Sequence, residues 1–255
     1  MRPAAAGLLV LLGAATSGCR GSLAPFQTAH TLPKGGFQVA IEGGAVGAIS
    51  EVSGENAGNL NVAGRYALSD RVEIGARVGT GRPELMAKFR LDRGGASDVA
   101  YSLAPSVSAF LASATGVTGV SLEGHVPLLV GIPFGRHELV LGPAIHLGHV
   151  INVDTAVWGF VASPGLSVGF SVRPLPWLAI LPEIAVAYPL FHASPSGPAW
   201  GGGIPYQVGI AILAGSPMKE AQPARKGASP YAPRRYESTA RAASRPSRIA
   251  HTTSD

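Results

Sequence analysis

The chain of 255 residues is poor in several things that most folds of this size use. It has one cysteine, Cys19, so an internal disulfide cannot form and a metal cluster built on cysteines is excluded. Only 14% of residues are charged, too few to coat the surface of a soluble domain this large. No uninterrupted apolar run reaches the ~20 residues that a membrane-spanning helix requires, although 46% of residues are hydrophobic. Neither a Gly-x-Gly-x-x-Gly stretch leading into a helix nor a Walker-type Gly-Lys-Ser/Thr is present among the 34 glycines, so no phosphate loop is expected. No cofactor is implied.

Alternation fills the gap these absences leave. From about Phe37 to Leu213, short segments alternate bulky apolar with small or polar residues, as in Phe37, Val39 and Ile41 against Gln38, Ala40 and Glu42. Successive side chains of a strand point to opposite sides of a sheet, so this period of two predicts β-structure throughout. A soluble sandwich also alternates but turns its apolar face inward under a charged exterior. High hydrophobicity without a spanning run instead fits transmembrane strands of about 9–11 residues.

Ten strands are expected, at 36–46, 58–68, 71–79, 83–91, 98–110, 117–130, 137–148, 157–172, 177–188 and 201–213. An even number suits a single-chain bacterial barrel and puts both chain ends on the periplasmic side. Compact turns at Leu68–Arg71 and Arg173–Pro176 then face the periplasm, while the longer stretches 47–57 and 189–200 face outward. Phe37, Tyr66, Phe89, Tyr101, Phe170 and Trp177 fall at one set of strand ends. Phe110, Trp158, Phe160, Tyr188, Phe191 and Trp200 fall at the other. Two rims of aromatic residues are the mark of a membrane-water interface. Against this, Pro105, Pro127, Pro143, Pro164, Pro182 and Pro205 interrupt strands, where each removes a ladder donor and is expected at a bulge or strand end.

The expected architecture is all-β: a single antiparallel up-and-down transmembrane β-barrel of about ten strands over residues 36–213. A leader or linker precedes it at 20–35, and a basic disordered tail follows at 214–255. From Ser216 onward there are eight basic and three acidic residues, which accounts for the whole net charge of +5. The basicity therefore belongs to the tail and gives no evidence of a nucleic-acid-binding fold. Rich in Ala, Ser, Pro and Arg, the tail cannot bury a core. Its expected partner is an anionic cell-wall or lipid surface, or it simply aids solubility.

The N-terminus resembles a bacterial lipoprotein signal. Met1-Arg2 precedes an apolar Ala4–Ala15, and Ser17-Gly18 stand just before Cys19, which the resemblance makes the lipidated mature N-terminus of residues 1–19. Thr16 departs from that pattern, where an aliphatic residue is usual. The alternative is an ordinary cleaved signal with an incidental cysteine. Thr31-Leu32-Pro33-Lys34-Gly35-Gly36 resembles the lead-in to the first strand of many bacterial outer-membrane barrels. With residues 36–213, the chain as a whole resembles the outer-membrane β-barrel proteins of Gram-negative-type bacteria. That resemblance implies an outer-membrane location among its lipids.

Alternation puts Glu42, Arg65, Glu73, Arg77, Lys88, Arg90, Glu123 and Glu183 inside the barrel. Small barrels fill their interiors with side chains, so a balanced charge network of Arg65, Glu73, Arg77, Lys88 and Arg90 reads first as a structural plug. Glu73 is expected between Arg65 and Arg90. One set of catalytic residue types occurs, on the sixth and seventh strands. A hairpin pairing Val130 with His137 would put Ser121 opposite His146, with Glu123 diagonal to it, an arrangement of nucleophile, base and orienting carboxylate. His146 and His149 are three apart on a strand and face opposite sides, so no metal site is expected there. The leading functional reading is a non-enzymatic envelope protein with a structural or binding role and a plugged lumen. A narrow solute channel is the alternative, and a lipid-modifying hydrolase the second.

Overall fold

The computed structural model describes residues 22–49, 57–80, 82–92, 99–114, 117–152, 158–193 and 203–217. Its strands are β1 (Phe37–Ile49), β2 (Ala57–Ser69), β3 (Val72–Gly79), β4 (Glu84–Arg90), β5 (Ala100–Leu103), β6 (Ser106–Ala114), β7 (Val117–Phe134), β8 (His137–Asn152), β9 (Trp158–Leu175), β10 (Leu178–Ala187), β11 (Phe191–Ala193) and β12 (Ile204–Gly215). Each is antiparallel to its neighbours, and β1 pairs with both β2 and β12, so the sheet closes on itself. β5 and β6 form a single barrel strand broken at Ala104-Pro105, since both pair β4 and β7. β11 likewise prolongs the line of β10 along β9. The result is a closed ten-stranded barrel.

Closure leaves the alternation with one meaning. Val39, Ile41, Val62, Ile74, Leu166 and Ile210 are among the apolar residues exposed on the outside, while Glu42, Arg65, Glu73, Arg77, Lys88 and Glu138 are buried within. This inverts a soluble barrel, and it is the arrangement that lipid outside and a polar lumen inside select. The aromatic rims are borne out for Phe37 opposite Tyr66, and for Phe89, Tyr101, Phe170 and Trp177, all exposed at the barrel end expected to face the periplasm. Trp158, Tyr188 and Phe191 are exposed near the other ends. Phe110 is a correction: it shares the parity of buried Ser108, and its ring lies under the Arg82 guanidinium at 5.3 Å. Trp200 lies outside the described residues.

Prolines shape the ladder without breaking the closure. Pro105 ends β5, its carbonyl accepting from the Ala87 N–H. Between β7 and β8 the pairing passes from Pro127–Ala144 to Val130–Leu141, and Pro143 in the gap has no N–H to donate. The β7–β8 hairpin is longer than expected. The alternating stretch was expected to stop at Val130, but β7 runs on to Phe134, and the turn is Gly135-Arg136 with Gly135 at φ +63°. That shift of four residues matters for the site below.

The lipid face makes a direct prediction. Val168 sits mid-strand on β9, 37% exposed and opposite Leu141 and Ile184. Val168→Arg should destabilise the barrel by about 2–4 kcal/mol, the cost of a cation near the bilayer midplane. Urea unfolding in lipid vesicles measures this, and a loss below about 0.5 kcal/mol, ordinary for an exposed surface position, would show that Val168 does not meet lipid.

Candidate functional site

Residues 22–33, within the stretch 20–35 expected as a leader or linker, run inside the barrel. Pro25 and Pro33 lack the donors of a ladder strand, and the segment has no alternation that would let it join the sheet. Residues 23–29 are all buried nonetheless. Their backbone groups must find partners away from water, and the lumen side chains supply them. The Leu23 and Ala24 N–H groups donate to Gln207 Oε1 at 2.7 and 3.0 Å, and the Phe26 N–H donates to Glu183 Oε2 at 2.8 Å. The Ala29 N–H donates to Glu138 Oε1 at 2.9 Å, and the Leu32 N–H to Glu73 Oε1. In the other direction, Arg77 donates to the Pro25 carbonyl at 2.8 Å, Arg65 to that of Phe26 at 3.1 Å, and Ser102 to that of Ala29 at 2.6 Å. Lys88 Nζ donates to the carbonyls of Thr28 and His30.

Phe26 anchors the strap. Its ring is fully buried in one apolar cluster with the small inward residues Ala40, Ala63 and Ala211 and the larger Leu213. A side chain at Gly209 would put its Cβ 2.7 Å from Phe26 Cζ and 2.6 Å from the Gly43 carbonyl, so glycine is required there. Phe26 itself has φ +47°, a left-handed backbone that costs a non-glycine residue roughly 1–2 kcal/mol. The bonds from its N–H to Glu183 and to its carbonyl from Arg65 hold it there.

The charges form several ion-paired groups around the strap. Glu42 lies between Arg77 (2.6 Å) and Arg65 (3.3 Å), and Arg77 also meets Glu84 at 2.7 Å. Glu73 pairs with Lys88 at 2.9 Å, and Glu138 with Arg173 (2.6 Å) and His30 (3.2 Å). The expectation that Glu73 bridges Arg65 and Arg90 is corrected. The β3–β4 register sets Glu73 opposite Lys88, and Arg90, beyond the start of β3, turns to Asp92 at the periplasmic rim with a shortest contact of 2.6 Å. Arg65 is diagonal to Glu73 but bonds Gln38 and Glu42 instead. Sequence reasoning missed Glu138, Gln207, Glu84 and Arg82. Glu138 and Gln207 were legible by alternation, Glu138 sharing the parity of His146. Arg82 lies in a connection, where alternation carries no information.

The hydrolase geometry is not formed. With Phe134 opposite His137, Ser121 faces Val150, and His146 faces His125. His146 stacks on His125, ring centroids 4.1 Å apart and 12° from parallel. Ser121 Oγ accepts from Arg82 at 2.8 Å, and Glu123 forms an ion pair with the same guanidinium. The three residues thus belong to two separate clusters. His149 points to the opposite face from His146, near the Trp158 ring. Cys19 lies outside the described residues, as does the tail from residue 218.

A closed barrel with an apolar exterior, aromatic rims and a lumen lined by acidic and basic side chains has the architecture of a transmembrane β-barrel. No protein-family model matches it, and no curated protein matches it in sequence. Among solved structures it is similar to Neisserial surface protein A, at 12% identity over 70% of this chain and 96% of that one, with a TM-score of 0.37. It is also similar to Ail, the attachment invasion locus protein of Yersinia pestis, at 10% identity over 71% and 99% of the two chains, with a TM-score of 0.33. The COG4313 outer membrane channel from Pseudomonas putida F1 matches at 11% identity over 77% and 100%, with a TM-score of 0.32.

Proposed function

We propose that the protein is a non-enzymatic component of the outer membrane with a structural or binding role, its lumen closed by its own N-terminal strap. The observation that carries this reading is where the buried charges point. Arg65, Lys88, Arg77, Glu73, Glu138 and Glu183 each bond the strap's backbone. A channel needs its lining groups to meet water and solute, whereas these are spent on one peptide segment. Residues 1–19 act as the signal, with Cys19 as a lipidated mature N-terminus, a reading supported by Ser17-Gly18 before it. The basic tail meets anionic cell-wall or lipid surfaces.

Purified protein in planar bilayers should show no steady conductance. A stable open level in the wild-type protein would transfer the assignment to a solute channel. In parallel, Ser121→Ala should leave lipid hydrolysis unchanged and lower stability by no more than about 1.5–3 kcal/mol, the worth of the one hydrogen bond it accepts from the Arg82 guanidinium. Labelling of Ser121 by a serine-reactive phosphonate would reinstate the hydrolase.

A further inference from the structure

The strap's contacts climb the barrel in order. At Leu32 the partner is Glu73, next to the first residue of β3 at the periplasmic rim. Ala29 meets Glu138, next to the first residue of β8. Phe26 reaches Glu183, midway along β10. Leu23, Ala24 and Ser22 all meet Gln207, on the outer half of β12. Burial follows the same path. Lys34 is exposed at the lower end, residues 23–29 are enclosed, and Ser22 is half-exposed again at the upper end.

We infer that the strap threads the barrel outward, from the periplasmic rim at Lys34 to the outer mouth at Ser22, so that Ser22 faces the outer side of the membrane. The inference rests on the strap occupying the lumen in the membrane, and it adds a direction and a destination. Gln207 is eight residues in from Gly215, which at ~3.4 Å per residue and a tilt of about 45° puts the Ser22 end of the strap roughly 19 Å above the rim where Lys34 enters.

The test uses the scarcity of cysteine. With Cys19 kept, because its thiol is consumed by the proposed acylation, Ser22→Cys and Lys34→Cys each add one thiol at one end of the strap, and the parent protein is the labelling control. Both are treated with a small membrane-impermeant methanethiosulfonate, first on intact cells and then on permeabilised ones, with heat-modifiable migration confirming a folded barrel. Ser22→Cys is expected to label in intact cells, and Lys34→Cys only after permeabilisation. Failure of Ser22→Cys to label in intact cells, whether or not it labels later, overturns outward threading, as does labelling of Lys34→Cys from outside. The two readings fail separately. Reversed labelling with silent bilayers leaves the lumen closed but refutes the direction, while conducting wild-type protein with the expected labelling refutes only the closed lumen.

Discussion

Glu42→Ala should lower the stability of the folded barrel by about 3–5 kcal/mol, the cost of breaking a buried ion pair by removing one partner. Glu42 is fully buried and is the carboxylate shared by Arg65 and Arg77. Without it, two buried guanidiniums are left without the carboxylate they share. Arg77 retains Glu84, but Arg65 is left with Gln38 and the Phe26 carbonyl, neither of which carries charge. The strap should loosen as well, because the same two arginines hold the Pro25 and Phe26 carbonyls. Glu42→Gln, which keeps the volume and loses the charge, should cost nearly as much. Arg90→Ala is the contrast, since its partner Asp92 lies at the rim, where ion pairs are worth roughly 0–1 kcal/mol. Urea titration of protein refolded in detergent micelles resolves these differences. A Glu42→Ala midpoint equal to that of Arg90→Ala would mean that the lumen is wet and the network unimportant.

Phe26→Ala should cost a similar amount, about 3–5 kcal/mol, for a different reason. Its ring is fully buried in an apolar cluster held by the closed sheet, so a cavity adds to the lost transfer energy. Alanine does not relieve the left-handed backbone at this position, so no compensating gain is expected. Bilayer recordings should show brief openings absent from the wild type, because the strap loses its main apolar anchor. Unchanged stability together with unchanged silence would show that the strap is not part of the barrel's core.

Alternation alone was enough for the class of this protein. With Val39 and Ile41 on one parity and Gln38 and Glu42 on the other, a one-residue slip would expose every lumen charge to lipid, so the inward set is determined residue by residue. The count of ten strands followed from the same pattern, as did the periplasmic aromatic rim. Register between strands did not. Strand β7 passes its expected end at Val130 because Ile132, Pro133 and Phe134 continue the ladder against Leu139, Glu138 and His137. That shift of four residues parts Ser121 from His146 while leaving every residue on its expected face. The strap was also beyond sequence reasoning. Residues 22–33 have neither alternation nor helical period, and what holds them is long-range: Gln207 reaching Leu23, Glu183 reaching Phe26 and Glu138 reaching Ala29. Such bonds depend on which strands the closed barrel brings face to face across its lumen. Local pattern determines which side a residue occupies; only closure decides what it meets there.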